Sequence, residues 1–176
     1  CRRLFRWHLG IVAGALTPAR TTDAYTFSAT TGDRFYFRLE ALADPSWYSS
    51  LRLIDPYGRQ VFGPDETQNH AWTAAATGTY TLLIEGRVWD GNASNPYKFT
   101  LIHVVDPAPL ALVVGAVTDA EITQPSQVAR YSFTLSGAAS LYLDSLTDND
   151  QVNWTLTGPA GFSVSRNLRN GESYEL

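Results

Sequence analysis

The sequence predicts an all-β protein made of tandem antiparallel β-sandwich modules, jelly-roll or immunoglobulin-like, with the second module incomplete within this chain. Three observations predict this class. Apolar residues recur with period two along most of the chain, Gly and Pro clusters separate these runs, and one pattern of aromatic and turn residues occurs twice. Period-two alternation is typical of strands with one face on a core, and a repeated pattern indicates arrayed modules.

Composition limits the functions that this chain can have. The 176 residues are 44% hydrophobic and 17% charged, which is enough apolar material for a substantial core. The net charge of −4 provides no positive field for phosphates, so we expect no nucleic-acid partner. A single cysteine excludes an intrachain disulfide. The longest apolar stretch, 110–117, is eight residues and too short for a membrane span.

The segment 1–12 is predicted to be the terminal strand of a preceding module or a linker. Its stretch Phe5-Arg-Trp7-His-Leu9 alternates apolar and polar residues in the same way as Tyr97-Lys-Phe99-Thr-Leu101. Two interpretations follow from this likeness. Either the chain is a window from a longer array of modules, or it is a subunit whose terminal strand completes an identical neighbour by strand addition.

The first copy of the repeat defines the first predicted module, 13–105. Its strands and turns are marked, in order, by Tyr25-Thr-Phe27, Phe35-Tyr-Phe-Arg-Leu39, Leu53-Ile-Asp-Pro56-Tyr-Gly58, Thr77-Gly-Thr-Tyr80 and Tyr97-Lys-Phe99-Thr-Leu101. Gly and Pro in the turns punctuate short strands, as sandwiches and barrels require. The Ala-rich window 70–76 is brief and ends at Gly78, so it predicts a loop or a single turn.

The second copy follows a Pro-rich linker at 106–112 and defines the second predicted module, 113–176. Its Tyr131-Ser-Phe133 lies 106 residues after the first aromatic pair, and its Leu156-Thr-Gly-Pro159-Ala-Gly161 turn lies 103 residues after the first. The last two strand signals of the first copy have no equivalent in the 15 residues after Gly161. We therefore expect this module to be truncated or to be completed by another chain, because an open apolar edge is unfavourable.

Catalytic motifs are absent from the sequence. It has no Gly-x-Ser-x-Gly elbow, no His-Glu-x-x-His pair and no phosphate-binding glycine loop. His8, His70 and His103 are too far apart to indicate metal-ligand spacing. His8 and His103 lie within or just after alternating strands, so we favour structural roles for these two. The sequence therefore predicts a protein that is not an enzyme.

Aromatic residues outside the alternating core positions are the candidate ligand-binding residues. Trp47, Tyr48, Trp72 and Trp89 are predicted to lie in or beside loops, where they could stack on sugar rings or anchor a protein partner. The alternative is that they plug the ends of the sandwich or contact the next module, since large aromatic side chains usually bury most of their surface. Trp154 is predicted to face the core.

Calcium is the one candidate cofactor. Asp144, Asp148 and Asp150 bracket a loop in the second copy, and Asp90 and Asn92 do so in the first. Hard oxygen ligands on loops suit calcium, but neither stretch has the glycine and glutamate positions of an EF-hand. The alternative is that these residues only form turns through their own backbone.

The repeated motifs resemble the bacterial pre-peptidase C-terminal domain. The likeness rests on Tyr-x-Phe, Leu-x-x-Pro-x-Gly, Thr77-Gly-Thr-Tyr80 and Tyr97-x-Phe99, and it covers 14–104 fully and 115–176 in part. It implies a secreted or surface location in bacteria, a non-catalytic role, and calcium or matrix binding in some members. We therefore expect a spacer, stalk, adhesive or filament-forming module, or alternatively a carbohydrate- or protein-binding accessory of a secreted hydrolase. The expected partners are neighbouring modules, identical subunits, extracellular glycans or matrix proteins.

Overall fold

The computed structural model describes residues 2–6, 10–42, 49–65, 68–147, 149–169 and 172–175. Its chain divides into two compact units. The first consists of Cys1–Pro109 and Thr118–Arg130, and the second of Leu110–Val117 and Tyr131–Leu176. The module boundaries expected from the repeat, 13–105, 106–112 and 113–176, remain a prediction.

The described residues of the first unit form two sheets. Their strands are β1 Arg2–Arg6, β2 Gly10–Leu16, β3 Thr22–Ala29, β4 Arg34–Leu42, β5 Ser49–Ile54, β6 Gln60–Asp65, β7 His70–Thr73, β8 Gly78–Gly86 and β9 Asn95–Val104. One sheet has the order β1-β3-β8-β5-β6 and the other β2-β9-β4-β7. β1 pairs with β3 in parallel, and the other pairings between these strands are antiparallel. β1 and the start of β2 lie in the segment 1–12, for which the sequence predicts the terminal strand of a preceding module or a linker.

Apolar residues of both sheets form one core in the first unit. Tyr25, Phe27 and Leu82 point inward from the five-stranded sheet, and Phe37 and Phe99 point inward from the other. Alternate residues of β8 are buried, namely Tyr80, Leu82 and Ile84. Two mainly antiparallel sheets with a shared core between them form a β-sandwich. The predicted all-β sandwich class is confirmed.

Strand β8 is the central strand of the five-stranded sheet, and β9 is an inner strand of the four-stranded sheet. β8 pairs with β3 on one side and with β5 on the other. β9 likewise pairs with β2 and with β4. Each sheet of the first unit is therefore held together through one strand of the region 78–104.

The outermost strand of the five-stranded sheet, β6, is irregular. Its pairing with β5 shifts register twice, between Leu51 and Leu53 and between Leu53 and Ile54. Gly63 has φ +87, and a side chain there would meet the carbonyl oxygen of Leu51. Pro64 follows, and proline is tolerated in strands at edges because it has no N–H to donate.

The window 70–76, for which the sequence predicts a loop or a single turn, begins instead with the strand β7. His70–Thr73 pairs antiparallel with the start of β4, so that Trp72 lies opposite Phe35. Alanine and threonine give this short segment no period-two signal, and pairing with β4 determines its conformation.

Among the described residues, no helix has the length and apolar composition needed to cross a membrane.

Asp106 attaches the segment Thr118–Arg130 to the rest of the first unit. Its carboxylate accepts hydrogen bonds from Arg34 Nη1 at 2.7 Å, from Arg130 Nη1 at 2.6 Å and from the Val128 N–H at 2.8 Å. Gln127 Nε2 also donates to the Val105 carbonyl oxygen at 2.7 Å. The hydrogen bond from the Arg130 side chain, followed by that of the Val128 N–H, lowers the pKa of Asp106 to about 2.

The second unit contains short strands that associate in separate pairs. Its strands are β10 Leu110–Ala111, β11 Tyr131–Ser132, β12 Ser140–Leu143, β13 Asn149–Thr157, β14 Ser163–Leu168 and β15 Glu172–Glu175. β10 and β11 pair in parallel, whereas β12-β15 and β13-β14 are antiparallel. None of the described side chains of this unit reaches the burial of the first unit's core.

Candidate functional site

The loop between β8 and β9, residues 87–94, presents the most exposed aromatic side chain among the described tryptophans. Trp89 is 65% exposed and its neighbour Val88 is 82% exposed. The guanidinium carbon of Arg87 lies 5.9 Å from the centre of the Trp89 ring, within the range of a cation–π contact. We call residues 87–89 the Trp89 tip.

Asp90 fixes the conformation of this loop from within. It is only 1% exposed, its Oδ1 accepts a hydrogen bond from the Asn92 N–H at 2.9 Å, and its Oδ2 accepts one from Asn95 Nδ2. The Asp90 N–H donates to the Arg87 carbonyl oxygen at 3.0 Å, and the Ala19 N–H donates to the Asn92 carbonyl oxygen at 3.2 Å. A buried carboxylate with these donors holds the loop in one shape, so the Trp89 tip is presented by a preformed turn.

The other predicted aromatic residues are placed differently. Trp72, expected in or beside a loop, lies on β7 and stacks on Phe35 with ring centres 5.2 Å apart. It is half-buried against the core, where it also contacts Phe62 and Phe27. Trp47 and Tyr48 lie outside the described residues. Of the described candidates, Trp89 is the one with a face available to a ligand.

Tyr57 is a second exposed aromatic residue, on the turn between β5 and β6. It is 73% exposed, and the Arg59 guanidinium carbon lies 5.2 Å from its ring centre. Asp55 holds this turn, since its Oδ1 accepts from the N–H groups of Tyr57 and Arg59. Although burial opposes ionisation of Asp55, hydrogen bonds from Arg59 and Tyr57 outweigh it and lower the Asp55 pKa. The Pro-x-Gly motif thus specifies a turn of the same chemistry as the Trp89 tip.

Asp23, Tyr97 and Tyr25 form a buried polar network between the two sheets. Tyr97 Oη donates to Asp23 Oδ2 at 2.6 Å, and the two tyrosine hydroxyls lie 2.6 Å apart. Burial, together with the neighbouring Asp23 carboxylate, raises the pKa of Tyr97. Gly14 lies against this ring, where a Cβ would come within 2.5 Å of Tyr97 Oη. This network lies inside the sandwich and ties β3 to β9.

The predicted calcium residues do not converge in the part of the chain that the structure describes. Both carboxylate oxygens of Asp90 accept hydrogen bonds from the protein, and Asn92 is exposed beside it. Asp144 and Asp150 are exposed, and Asp150 accepts a hydrogen bond from Gln151 Nε2 at 2.8 Å. Asp148 lies outside the described residues. Among those described, no three His, Cys, Asp or Glu side chains group in a way that could hold a metal ion.

Two shallow depressions are found on the first unit. One, of 310 Å³, is lined mainly by small hydroxyl residues around Thr30 and Thr77. The other, of 260 Å³, is lined in part by Asp33, Arg34, His103 and Asp106. In the second depression Arg34 is paired with Asp106, and His103 Nε2 lies 3.6 Å from Asp33 Oδ1. Each carboxylate of this depression therefore has a basic side chain beside it.

Sequence reasoning finds Trp89 but misses Arg87, Val88 and the anchoring role of Asp90. The available signal is the Asp90-Gly-Asn92 turn directly after the tryptophan, because such turns fix the residues before them. The Asp106 cluster is also missed. Its arginines, Arg34 and Arg130, are 96 residues apart, and no local pattern connects them.

Comparisons with known proteins found similar structures but no matching sequence family. No family model matches the chain, and no curated protein does. Among solved structures, several resemble about half of the chain. A periplasmic inhibitor of g-type lysozyme from Aeromonas hydrophila, PliG, is 14% identical with a TM-score of 0.46, covering 57% of this chain and 95% of its own.

A second similar structure is the pre-peptidase C-terminal domain of a collagenase from Bacillus anthracis, the family that the motifs resemble. It is 16% identical with a TM-score of 0.40, covering 57% of this chain and 94% of its own. A third, the MASP-1 CUB2 domain bound to Ca²⁺, is 14% identical with a TM-score of 0.38, covering 56% of this chain and 96% of its own. At these TM-scores the similarity carries no argument about what this chain binds or does.

Proposed function

We propose that this chain is a non-catalytic module of a secreted or cell-surface bacterial protein, acting by shape and contact as a spacer, stalk, adhesive surface or filament-forming repeat. The supporting observation is the use that the first unit makes of its buried acidic groups. Asp23 joins the two sheets through Tyr97, while Asp55 and Asp90 hold turns. Groups committed to the fold in this way are structural, since a catalytic acid or base needs access to a substrate.

A turnover screen tests this proposal. The full chain would be incubated with peptide, ester and glycoside substrates, and we expect no turnover above buffer. As a matched variant, Asp33→Asn alters an acidic residue of the second depression without touching the core. Turnover by the native chain that falls in this variant would refute the proposal.

The Trp89 tip favours a second candidate function, a carbohydrate- or protein-binding accessory module. A rigidly held, exposed tryptophan binds at low entropic cost, because its loop is already ordered before a ligand arrives. Indole rings stack on sugars and also dominate protein interfaces. Arg87 beside the ring adds a positive group that would favour acidic ligands.

Binding to immobilised glycans and extracellular matrix proteins tests this second function. We expect Trp89→Ala to weaken binding about tenfold or more, as loss of a central aromatic contact does. Tyr57→Ala is the matched control, because it removes another exposed ring with an arginine beside it. Equal binding by the native chain and both variants would exclude the Trp89 tip as the contact.

Calcium binding at 144–150 remains a prediction of the sequence. It would be tested by the melting temperature of the full chain with millimolar Ca²⁺ and with a chelator. A rise with Ca²⁺ that is lost in Asp144→Asn would support a site there, and identical melting in both conditions would exclude it.

A further inference from the structure

The second unit has the strand pairs that the first unit would have if β8 and β9 were removed. Without β8, the sheet β1-β3-β8-β5-β6 would split into β1-β3 and β5-β6, and the second unit contains β10-β11 and β13-β14. Without β9, the sheet β2-β9-β4-β7 would keep only β4-β7, and the second unit contains β12-β15. The gaps therefore fall at the positions of β8 and β9.

Position along the chain and strand direction support this correspondence. Ser140 begins β12 and lies 106 residues after Arg34 at the start of β4. Ser163 begins β14 and lies 103 residues after Gln60 at the start of β6. These are the two spacings of the repeated motifs. The pair β10-β11 is parallel, as β1-β3 is, and the other two pairs are antiparallel, as β5-β6 and β4-β7 are.

The segment of the second unit that matches β2 shows how the absence of a β9 equivalent affects strand formation. In the first unit Gly14-Ala-Leu16 lies in β2, which pairs with β9 alone, and Leu16 is 0% exposed. The matching Gly115-Ala-Val117 lies outside the strands of the second unit, and Val117 is 71% exposed. A similar sequence thus forms a strand only where its partner strand is present.

The remaining strands of the second unit keep an apolar face. Along β13 the side chains of Val152, Trp154 and Leu156 are half-buried, and the residues between them are exposed. Tyr131 and Phe133 alternate in the same way. This face has the period of a sandwich interior, but among the described residues no second layer buries it as the first unit's core is buried.

We propose that the second unit binds two extended strands that occupy the positions of β8 and β9 and so complete both of its sheets. The proposal rests on the contact role proposed above and names the partner. The chemistry of that partner is given by the first unit. One strand has the pattern Gly-x-Tyr-x-Leu-x-Ile of Gly78–Ile84, and the other has Tyr-x-Phe-x-Leu of Tyr97–Leu101. Backbone hydrogen bonds supply affinity, and the alternating side chains supply register.

A second copy of this chain is not the expected donor of these strands. Its own β8 and β9 are paired on both sides and their inward side chains are buried. Donating them would dismantle the first unit. The two strands are therefore supplied by a polypeptide segment outside residues 1–176 in which strands of this pattern are unpaired.

A peptide copying residues 77–104 serves as the probe. It is added to the full chain, and backbone hydrogen exchange is followed by mass spectrometry. We expect amides in 131–135 and 149–157 to exchange at least about tenfold more slowly, because they gain ladder hydrogen bonds. The first unit, which already contains β8 and β9, should be unchanged and serves as the internal reference.

The control peptide carries aspartate at the inward positions Tyr80, Leu82 and Phe99 and should give no protection. A fusion of 77–104 to the end of the chain through a Gly/Ser linker gives the same readout if the free peptide is poorly soluble. Absence of protection in both formats would overturn the proposal. So would equal protection by the control peptide, or a dimer by sedimentation whose second unit is protected without peptide.

Failure here is distinguishable from failure of the proposed function. Binding through the Trp89 tip concerns the first unit, and the turnover screen measures substrate conversion by the full chain. The exchange experiment instead measures amides of the second unit. Loss of one result leaves the other intact.

Discussion

Tyr25 and Phe27 of the first unit are buried, whereas Tyr131 and Phe133, at the matching positions of the second unit, are half-buried. The local sequences are nearly the same, and both follow the alternation of a strand. What differs is the neighbouring strand. β3 pairs with β8 over its whole length, while β11 extends over two residues. The comparison shows that the motif specifies which side chains face inward and that the inner strands determine whether they become buried.

Replacing the phenylalanine of the Tyr-x-Phe motif by alanine in each unit should give the largest difference in lost unfolding free energy. Phe27→Ala removes a ring packed against Phe35 and Tyr80, and should cost about 3–5 kcal/mol of unfolding free energy. Phe133→Ala removes a half-buried ring and should cost about 1 kcal/mol. Hydrogen exchange as a function of urea, resolved by unit, measures both. Equal costs would mean that the two positions are equally buried and would contradict the comparison.

Substituting one glycine in each unit, Gly14 and Gly137, by alanine should give an intermediate difference in stability. Gly14→Ala brings a Cβ against the Tyr97 ring, and such overpacking should destabilise the first unit by about 1–3 kcal/mol. Gly137→Ala is the matched control, since a Cβ added there would have no neighbouring atom within 4 Å, and it should be neutral or slightly stabilising. Thermal unfolding of both variants provides the test. A neutral Gly14→Ala would show that β2 does not pack closely on β9.

The smallest effect should be the loss, at acid pH, of the stabilisation that Asp106 gives to the segment 118–130. Because the folded pKa of Asp106 is lowered to about 2 from the ordinary value of 3.8, its stabilisation is complete above pH 4 and is lost as the pH falls through 2. We expect the protection factors in 118–130, which compare exchange with the intrinsic rate at each pH, to fall over that interval while the β8 amides stay protected. Asp106→Asn should show faster exchange there already at pH 7. An unchanged profile in this variant would show that other contacts hold the segment.

The fold class could be predicted from the sequence because the information for it is local. Alternation in Tyr80-Thr-Leu82-Leu-Ile84 and the Pro-x-Gly turns each act within a few residues. The strand at 70–73 could not be predicted because only its pairing with β4 makes it a strand. The same kind of reason applies to Arg87 and Asp106, since their roles come from contacts that no short pattern encodes.

Exposure of tryptophan is equally hard to predict. Trp72 and Trp89 both lie outside the obvious alternation, yet one packs at the edge of the core and the other points outward. The difference arises from the register of β7 against β4 for Trp72 and from the Asp90 turn for Trp89. Both are features of tertiary structure.

The irregular edge at β6 affects the tendency of this protein to associate with itself at high concentration. Register shifts and Pro64 leave that border without a straight row of free amide donors, which discourages fusion of the five-stranded sheet with sheets of other molecules. The matching strand β14 contains no proline, and its pairing with β13 is regular from Asn153 to Thr157. Of these two matching borders, β14 should therefore be the more prone to unwanted self-association at high concentration.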